Sequence, residues 1–222
     1  MKQLILFLVI ITGIIGCQNK QEPIPGDTPK EPAQEQIDFS KLTEAEKQEL
    51  GNKMMESIVA GEQHKELQKF VGTWNFKTHT KSSNSGDTVF SGSGTTINRL
   101  ILDGKFLVSE SEKKDDHLIA VGLMVIGYDR TIDRYTTTMY SDGGTNYITS
   151  QGAVDPGAKE KNIRTSGTYY NPILKNNDAY DIILEPVSEN RYRVVIDFKD
   201  PATRSTQSSM IIDYEKVSNP VR

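Results

Sequence analysis

Leu67-Gln68-Lys69-Phe70-Val71-Gly72-Thr73-Trp74 is the point at which this chain changes its period. It ends a short helical stretch and starts the first strand of a long β region that runs to Val217. Gly72 lets the backbone turn out of the helix, and Trp74, the single tryptophan, offers a large ring to close the end of a barrel. A ligand-stacking Trp74 is the alternative reading of the same residue.

Downstream of this stretch the sequence reads as ten strands. They are expected at Thr73 to Thr80, Asp87 to Asn98, Lys105 to Lys113, His117 to Tyr128, Arg134 to Tyr140, Thr145 to Ala153, Asn162 to Tyr170, Ala179 to Glu185, Arg191 to Lys199 and Thr206 to Lys216. Turn chemistry separates them, as at Leu102-Asp103-Gly104, Asp142-Gly143-Gly144, Asp155-Pro156-Gly157 and Glu189-Asn190. Short strands at regular intervals with no helix between them imply an antiparallel meander, and a meander of this length favours closure, because a barrel leaves no long edge unpaired. The fold class is therefore all-β, an antiparallel up-and-down β-barrel of about ten strands with short N-terminal helices. Alternation agrees: Tyr192, Val194, Ile196 and Phe198 share one face of the ninth strand, and Met210, Ile212 and Tyr214 one face of the tenth.

Upstream, Thr43-Glu44-Ala45-Glu46 has the form of a capping box, and Leu50, Met54 and Ile58 recur at spacing four, so a helix is expected within residues 39–60 with a narrow apolar stripe that lies on something. A second short helix from Glu62 to Phe70 carries Leu67, Phe70 and Val71 on one side. The barrel domain is placed at residues 61–222.

The N-terminus reads as an address. Met1-Lys2 is a positive start, Leu4 to Ile15 an apolar segment of signal-peptide length, and Gly16-Cys17 the small residue and cysteine of a bacterial lipobox. The apolar run is too short to span a bilayer as a helix. Residues 1–16 are expected to be a signal peptide, Cys17 the lipidated residue carrying palmitate-type acyl chains, and residues 17–38 a proline-spaced polar tether. The expected location is the bacterial cell envelope, lipid-anchored, with the outer membrane favoured over the inner, since Gln18 is not the retaining Asp. Cys17 is the only cysteine, so no disulfide forms within the fold.

Removing Lys2 with the signal leaves 25 basic against 30 acidic residues, a net charge of −5. A weakly acidic chain without basic clusters argues against nucleic-acid binding, and the acyl anchor rather than charge would hold it to a membrane. His64, His79 and His117 lack a second ligand at metal spacing, so no metal and no cofactor is expected. Ser91-Gly92-Ser93-Gly94 lies within a strand with no helix after it, and reads as a bend rather than a nucleophile elbow.

Several segments together resemble a bacterial family called domain of unknown function 1579. They are His64-x-x-Leu67 leading into Val71-Gly72-Thr73-Trp74, then Leu102-Asp103-Gly104-Lys105-Phe106-Leu107, then Gly122, then Gly127-Tyr128-Asp129 followed by Tyr135. The resemblance covers Gly61 to the C-terminus and implies a calycin-like barrel, akin to lipocalins and fatty-acid-binding proteins; it implies no activity. Lys105 stands where the family's pattern has Arg, Met139 and Ser141 near where it has an aromatic and an Asp, and Tyr214-Glu215-Lys216 where it closes on Tyr-x-Arg. By analogy with lipocalins, Lys216 is expected to pack over Trp74.

The barrel architecture suggests binding of a small apolar or amphipathic molecule in the interior. Candidate ligand-binding residues are Trp74, Glu110, Tyr140, Arg164 and Arg193. Glu110 and Glu112 share a face with Phe106 and Val108; if that face is internal, Glu110 requires Arg164 or Arg193 as a partner, and if it is external the pair is solvated. Strand parity does not sort the nine tyrosines into barrel-end girdles and cavity walls. Two alternatives stand beside ligand binding: a hydrolase-like enzyme using an interior carboxylate such as Glu110, and a non-catalytic envelope interaction module.

Overall fold

The computed structural model describes residues 38–82, 86–114, 122–142, 147–154, 161–171, 175–200 and 202–218. The signal peptide, Cys17, most of the tether and His117 lie outside these residues. The chain divides into residues 1–43 and residues 44–222. In the first unit Asp38 caps a 3-10 turn at Phe39–Lys41, its carboxylate accepting from the Ser40 amide at 3.1 Å.

In the second unit, ten strands follow two helices: β1 Gly72–Ser82, β2 Thr88–Ile101, β3 Phe106–Lys113, β4 Gly122–Asp129, β5 Arg134–Ser141, β6 Tyr147–Val154, β7 Ile163–Asn171, β8 Asn176–Ser188, β9 Arg191–Lys199 and β10 Thr206–Lys216. Each strand pairs antiparallel with the next, and β10 pairs back onto β1 with Trp74 opposite Lys216 and Thr78 opposite Ile212. The sheet is a closed up-and-down barrel, as the turn spacing predicts. The bend expected at Ser91-Gly92-Ser93-Gly94 is a bulge: the register of β1 on β2 shifts between Thr78 and His79, opposite Gly92, whose φ of 144° suits only glycine.

Helix α1 spans Glu44–Ile58, and α2, Glu62–Lys65, runs straight into a 3-10 turn at Glu66–Phe70. The second helix is thus one α-turn that tightens rather than a continuous helix. Leu67 and Phe70 are fully buried and plug one end of the barrel, in one hydrophobic cluster with Trp74, Leu107, Tyr135, Ile163 and Leu184. The stripe on α1 does not pack as its spacing suggests. Met54, Met55, Ile58 and Val59 are exposed and α1 buries no residue. Its C-terminal end is instead held by polar bonds, the Arg130 guanidinium donating to the carbonyls of Glu56 and Val59.

Register and burial together sort the strand faces. Inward positions include Trp74, Phe76 and Thr78 on β1; Gly94, Thr96 and Asn98 on β2; Leu107 and Ser109 on β3; and Tyr192, Val194 and Ile196 on β9. Gly94 is required where it stands, since a Cβ there would fall 2.3 Å from the Phe76 ring.

Candidate functional site

The barrel interior has a floor, a polar belt and an apolar upper wall. At the floor, the Phe70 carbonyl accepts from the Trp74 indole at 2.9 Å and from the Asn98 amide at 2.8 Å, and the same Asn98 nitrogen donates to the Tyr192 hydroxyl at 2.9 Å. Tyr192 stacks on Tyr214 with ring centres 4.1 Å apart and presents its edge to Trp74 at 4.7 Å. Burial pushes both phenols far above their ordinary titration, so they stay neutral hydrogen-bonding groups at any physiological pH. Lys216 lies 5.4 Å over the Trp74 ring, as the lipocalin analogy anticipates. Trp74 is 1% exposed and keeps no open face for a ligand, so it belongs to the floor.

The floor is tied to the helices from several sides. The Tyr135 hydroxyl donates to the Gln63 carbonyl at 2.8 Å, and Lys161 reaches Glu66 at 3.0 Å. His64 is buried; its Nδ1 accepts the Gly61 amide at 2.9 Å and its ring meets Tyr128 edge-on. Desolvation pulls its pKa below the ordinary value, so it is neutral in the fold.

Above the floor the inward positions carry small hydroxyls. Thr78, Thr96, Ser109, Thr137, Ser150 and Thr165 are all buried. Thr96 bonds Ser111, Ser150 bonds Thr165 at 2.7 Å, and Tyr180 donates to the Thr149 carbonyl at 2.6 Å, its phenol seated where Gly167 has no side chain. The hydroxyls of Thr78 and Thr137 and the side-chain carbonyl of Asn98 have no hydrogen-bond partner among the described residues. A buried polar group left in that state costs about 1–3 kcal/mol.

Beyond the belt, away from the helices, the inward side chains Met139, Ile148, Tyr169, Phe198, Met210 and Ile212 are large and apolar, yet only half-buried. Among the described strands, charged residues occupy inward register positions only near strand ends: Lys113 closes β3, Lys216 closes β10, and Asp178, bonded to Tyr169 and Asn171, opens β8. At the plugged end a separate cleft of about 440 Å³ runs between the 3-10 turn and the β8–β9 turn, bordered by Lys69, Pro186, Glu189, Arg191 and Lys216.

Four of the residues expected to meet a ligand point away from this interior. Glu110 is opposite Ile97 and Leu123 on the outer face, where Arg99 pairs with it at 2.8 Å in solvent. The face it shares with Phe106 and Val108 is external because Phe106 covers Gly127 and Val108 packs opposite Val125; Leu107 and Ser109 turn inward instead. Arg164 pairs outside with Asp181 at 3.4 Å, and Arg193 with Asp213 at 2.8 Å, each across neighbouring strands. Tyr140 is 48% exposed and leans on Tyr147 outside the barrel. What the sequence reading missed is the hydroxyl belt. Its signal lay in β5, where Tyr135, Thr137 and Met139 alternate with Thr136, Thr138 and Tyr140, but threonine stands on both faces of that strand.

Among the described residues no three candidate ligands gather at a metal-binding distance. No curated protein matches the sequence. Among solved structures, a redesigned beta barrel aligns over 68% of this chain and 95% of its own at 14% identity and a TM-score of 0.27. EF1p2_mFAP2b, in a structure bound to DFHBI, aligns over the same shares at 11% identity and a TM-score of 0.27. At that TM-score neither alignment bears on the architecture, which rests on the strand register itself. The family model that matches, described as a protein of unknown function, DUF1579, runs over residues 59–216, from just after α1 to the end of β10, and the chain belongs to that family.

Proposed function

We propose that the barrel holds a small apolar or amphipathic molecule, admitted at the end away from the helices, and that the chain does so as a lipid-anchored protein of the cell envelope with Cys17 acylated. The observation that carries the binding reading is the gradient of burial along the inward faces. Leu67, Trp74, Leu107, Ile163 and Leu184 at the plugged end are sealed at 0–1% exposure, while Met139, Phe198, Met210 and Ile212 on the same inward faces keep accessible apolar surface. Large inward apolar groups left partly uncovered are what an apolar guest would cover. The hydrolase-like alternative loses its residue, since Glu110 is outside and paired with Arg99.

Native mass spectrometry of the full chain purified from its own host tests the binding reading. The expected result is an added mass that disappears on denaturation. A chain that carries no added mass and takes up no apolar probe removes the proposal. Anchoring is tested separately, by incorporation of a palmitate analogue that Cys17→Ser abolishes; label retained in that variant would sink the lipobox assignment.

A further inference from the structure

We infer that the barrel selects an uncharged guest, a molecule with a neutral hydrogen-bonding head such as an alcohol, and discriminates against free carboxylates. This rests on the ligand-binding reading above and specifies its chemistry. A carboxylate carried into an apolar interior needs a buried cation or several donors to replace its water. The described inward positions offer no such cation between the strand ends. Three strand arginines, Arg99, Arg164 and Arg193, point outward and are already held by Glu110, Asp181 and Asp213. A cationic head would fare no better, because among the described inward positions the one carboxylate, Asp178, stands at the beginning of β8 and is engaged by Tyr169 and Asn171.

The interior provides neutral hydrogen-bonding capacity instead. Thr78 and Thr137, on opposite sides of the strand order, have buried hydroxyls without a partner among the described residues. Each borders the accessible region: Ile212 is directly across from Thr78, and Met139 is the next inward residue after Thr137. A hydroxyl both donates and accepts, so it can satisfy another hydroxyl, a carbonyl or an ester; a carboxylate would accept from the same donors but brings a full charge that two neutral hydroxyls do not compensate. The inferred pose has the polar head at the level of these threonines and the chain running along Met139, Ile148, Met210 and Ile212, with the methionines adapting to its shape.

The test compares 1-decanol with decanoate at pH 8, two ligands of equal chain length, by isothermal titration of the full chain. Decanol is expected to bind at least tenfold tighter. The Thr78→Val/Thr137→Val double variant, which keeps side-chain volume, is expected to lose about tenfold in decanol affinity while its thermal midpoint shows that it remains folded. Decanoate binding as tightly as decanol overturns the inference and leaves the ligand-binding reading standing. Decanol binding undiminished in the double variant overturns the assignment of the head to these hydroxyls. Failure of both ligands to bind removes the inference together with the reading it rests on.

Discussion

The Phe70 carbonyl takes two hydrogen bonds, from Trp74 and from Asn98, so a single backbone oxygen fixes the plug against β1 and β2. Trp74→Phe keeps an aromatic ring but removes the indole donor and part of the volume under Lys216. It is expected to lower stability by about 2 kcal/mol, the sum of a lost buried hydrogen bond and an imperfectly filled site. Urea unfolding followed by circular dichroism measures this; a change below about 0.5 kcal/mol would mean that the plug does not depend on the bond. His64 sets the pH response at the same end. Its folded pKa is depressed by burial, so the unfolded chain binds a proton near pH 6.5 while the folded chain does not. Its contribution is therefore complete above that value and is lost as pH falls below it. The thermal midpoint is expected to drop between pH 7.5 and 5.5 in the wild type and to change less in His64→Gln, which retains an acceptor for the Gly61 amide. Equal drops in both proteins would assign the effect to other groups.

At the scale of elements, the β2–β3 hairpin turns through Leu102, Asp103 and Gly104, all with positive φ, at 50°, 58° and 82°. Leu102 is also 64% exposed, so its side chain gains little for the backbone conformation it occupies. Leu102→Asn is expected to stabilise the domain by about 0.5–1 kcal/mol, raising the thermal midpoint by roughly 1–4 °C; an unchanged or lower midpoint would show that Leu102 makes contacts of its own. This turn was legible in the sequence, as were all ten strands, because Asp, Asn and Gly punctuate most of the reversals; Asn176, Asn177 and Asp178, which read as a turn, instead open β8 opposite Asn171, Tyr170 and Tyr169. Faces were legible only where one side is polar. In β9 and β10 the apolar residues alternate with charges, and the set read from them is the set that faces the barrel interior. In β3 both faces carry apolar residues, Phe106 and Val108 on one and Leu107 on the other, so parity gave no choice between them. The outer set is apolar for a local reason, the cover of Gly127 and the contact with Val125, and that cover is a pairing between strands which the order of residues along one strand does not encode. The hydroxyl belt was hidden for a related reason: an inward threonine has the polarity of a solvent-facing one, and only closure of the barrel tells them apart.

For the molecule as a whole, the question is which residues the barrel needs in order to close. Helix α1 buries none of its side chains and is held to the β4–β5 turn through Arg130 and two carbonyls near its C-terminal end. The 3-10 turn that follows, by contrast, contributes two fully buried side chains and the acceptor at the centre of the floor. These differences predict an abrupt boundary in a truncation series. A chain beginning at Gly61 loses solvent-exposed bonds alone and is expected to unfold cooperatively within a few degrees of the full-length protein, on the scale of 2–4 °C per kcal/mol for a domain of this size. A chain beginning at Val71 loses Leu67 and Phe70, exposes Trp74 and leaves the amide of Asn98 without the Phe70 carbonyl. Two large buried side chains are together worth several kcal/mol, comparable with the whole stability of an ordinary domain, so this chain is expected to lose its cooperative transition. Calorimetry on the two truncations separates the cases. If the chain from Val71 melts like the one from Gly61, the plug is dispensable and the barrel is closed by its strands alone; if the chain from Gly61 already fails, the exposed stripe on α1 is covered by something the fold requires.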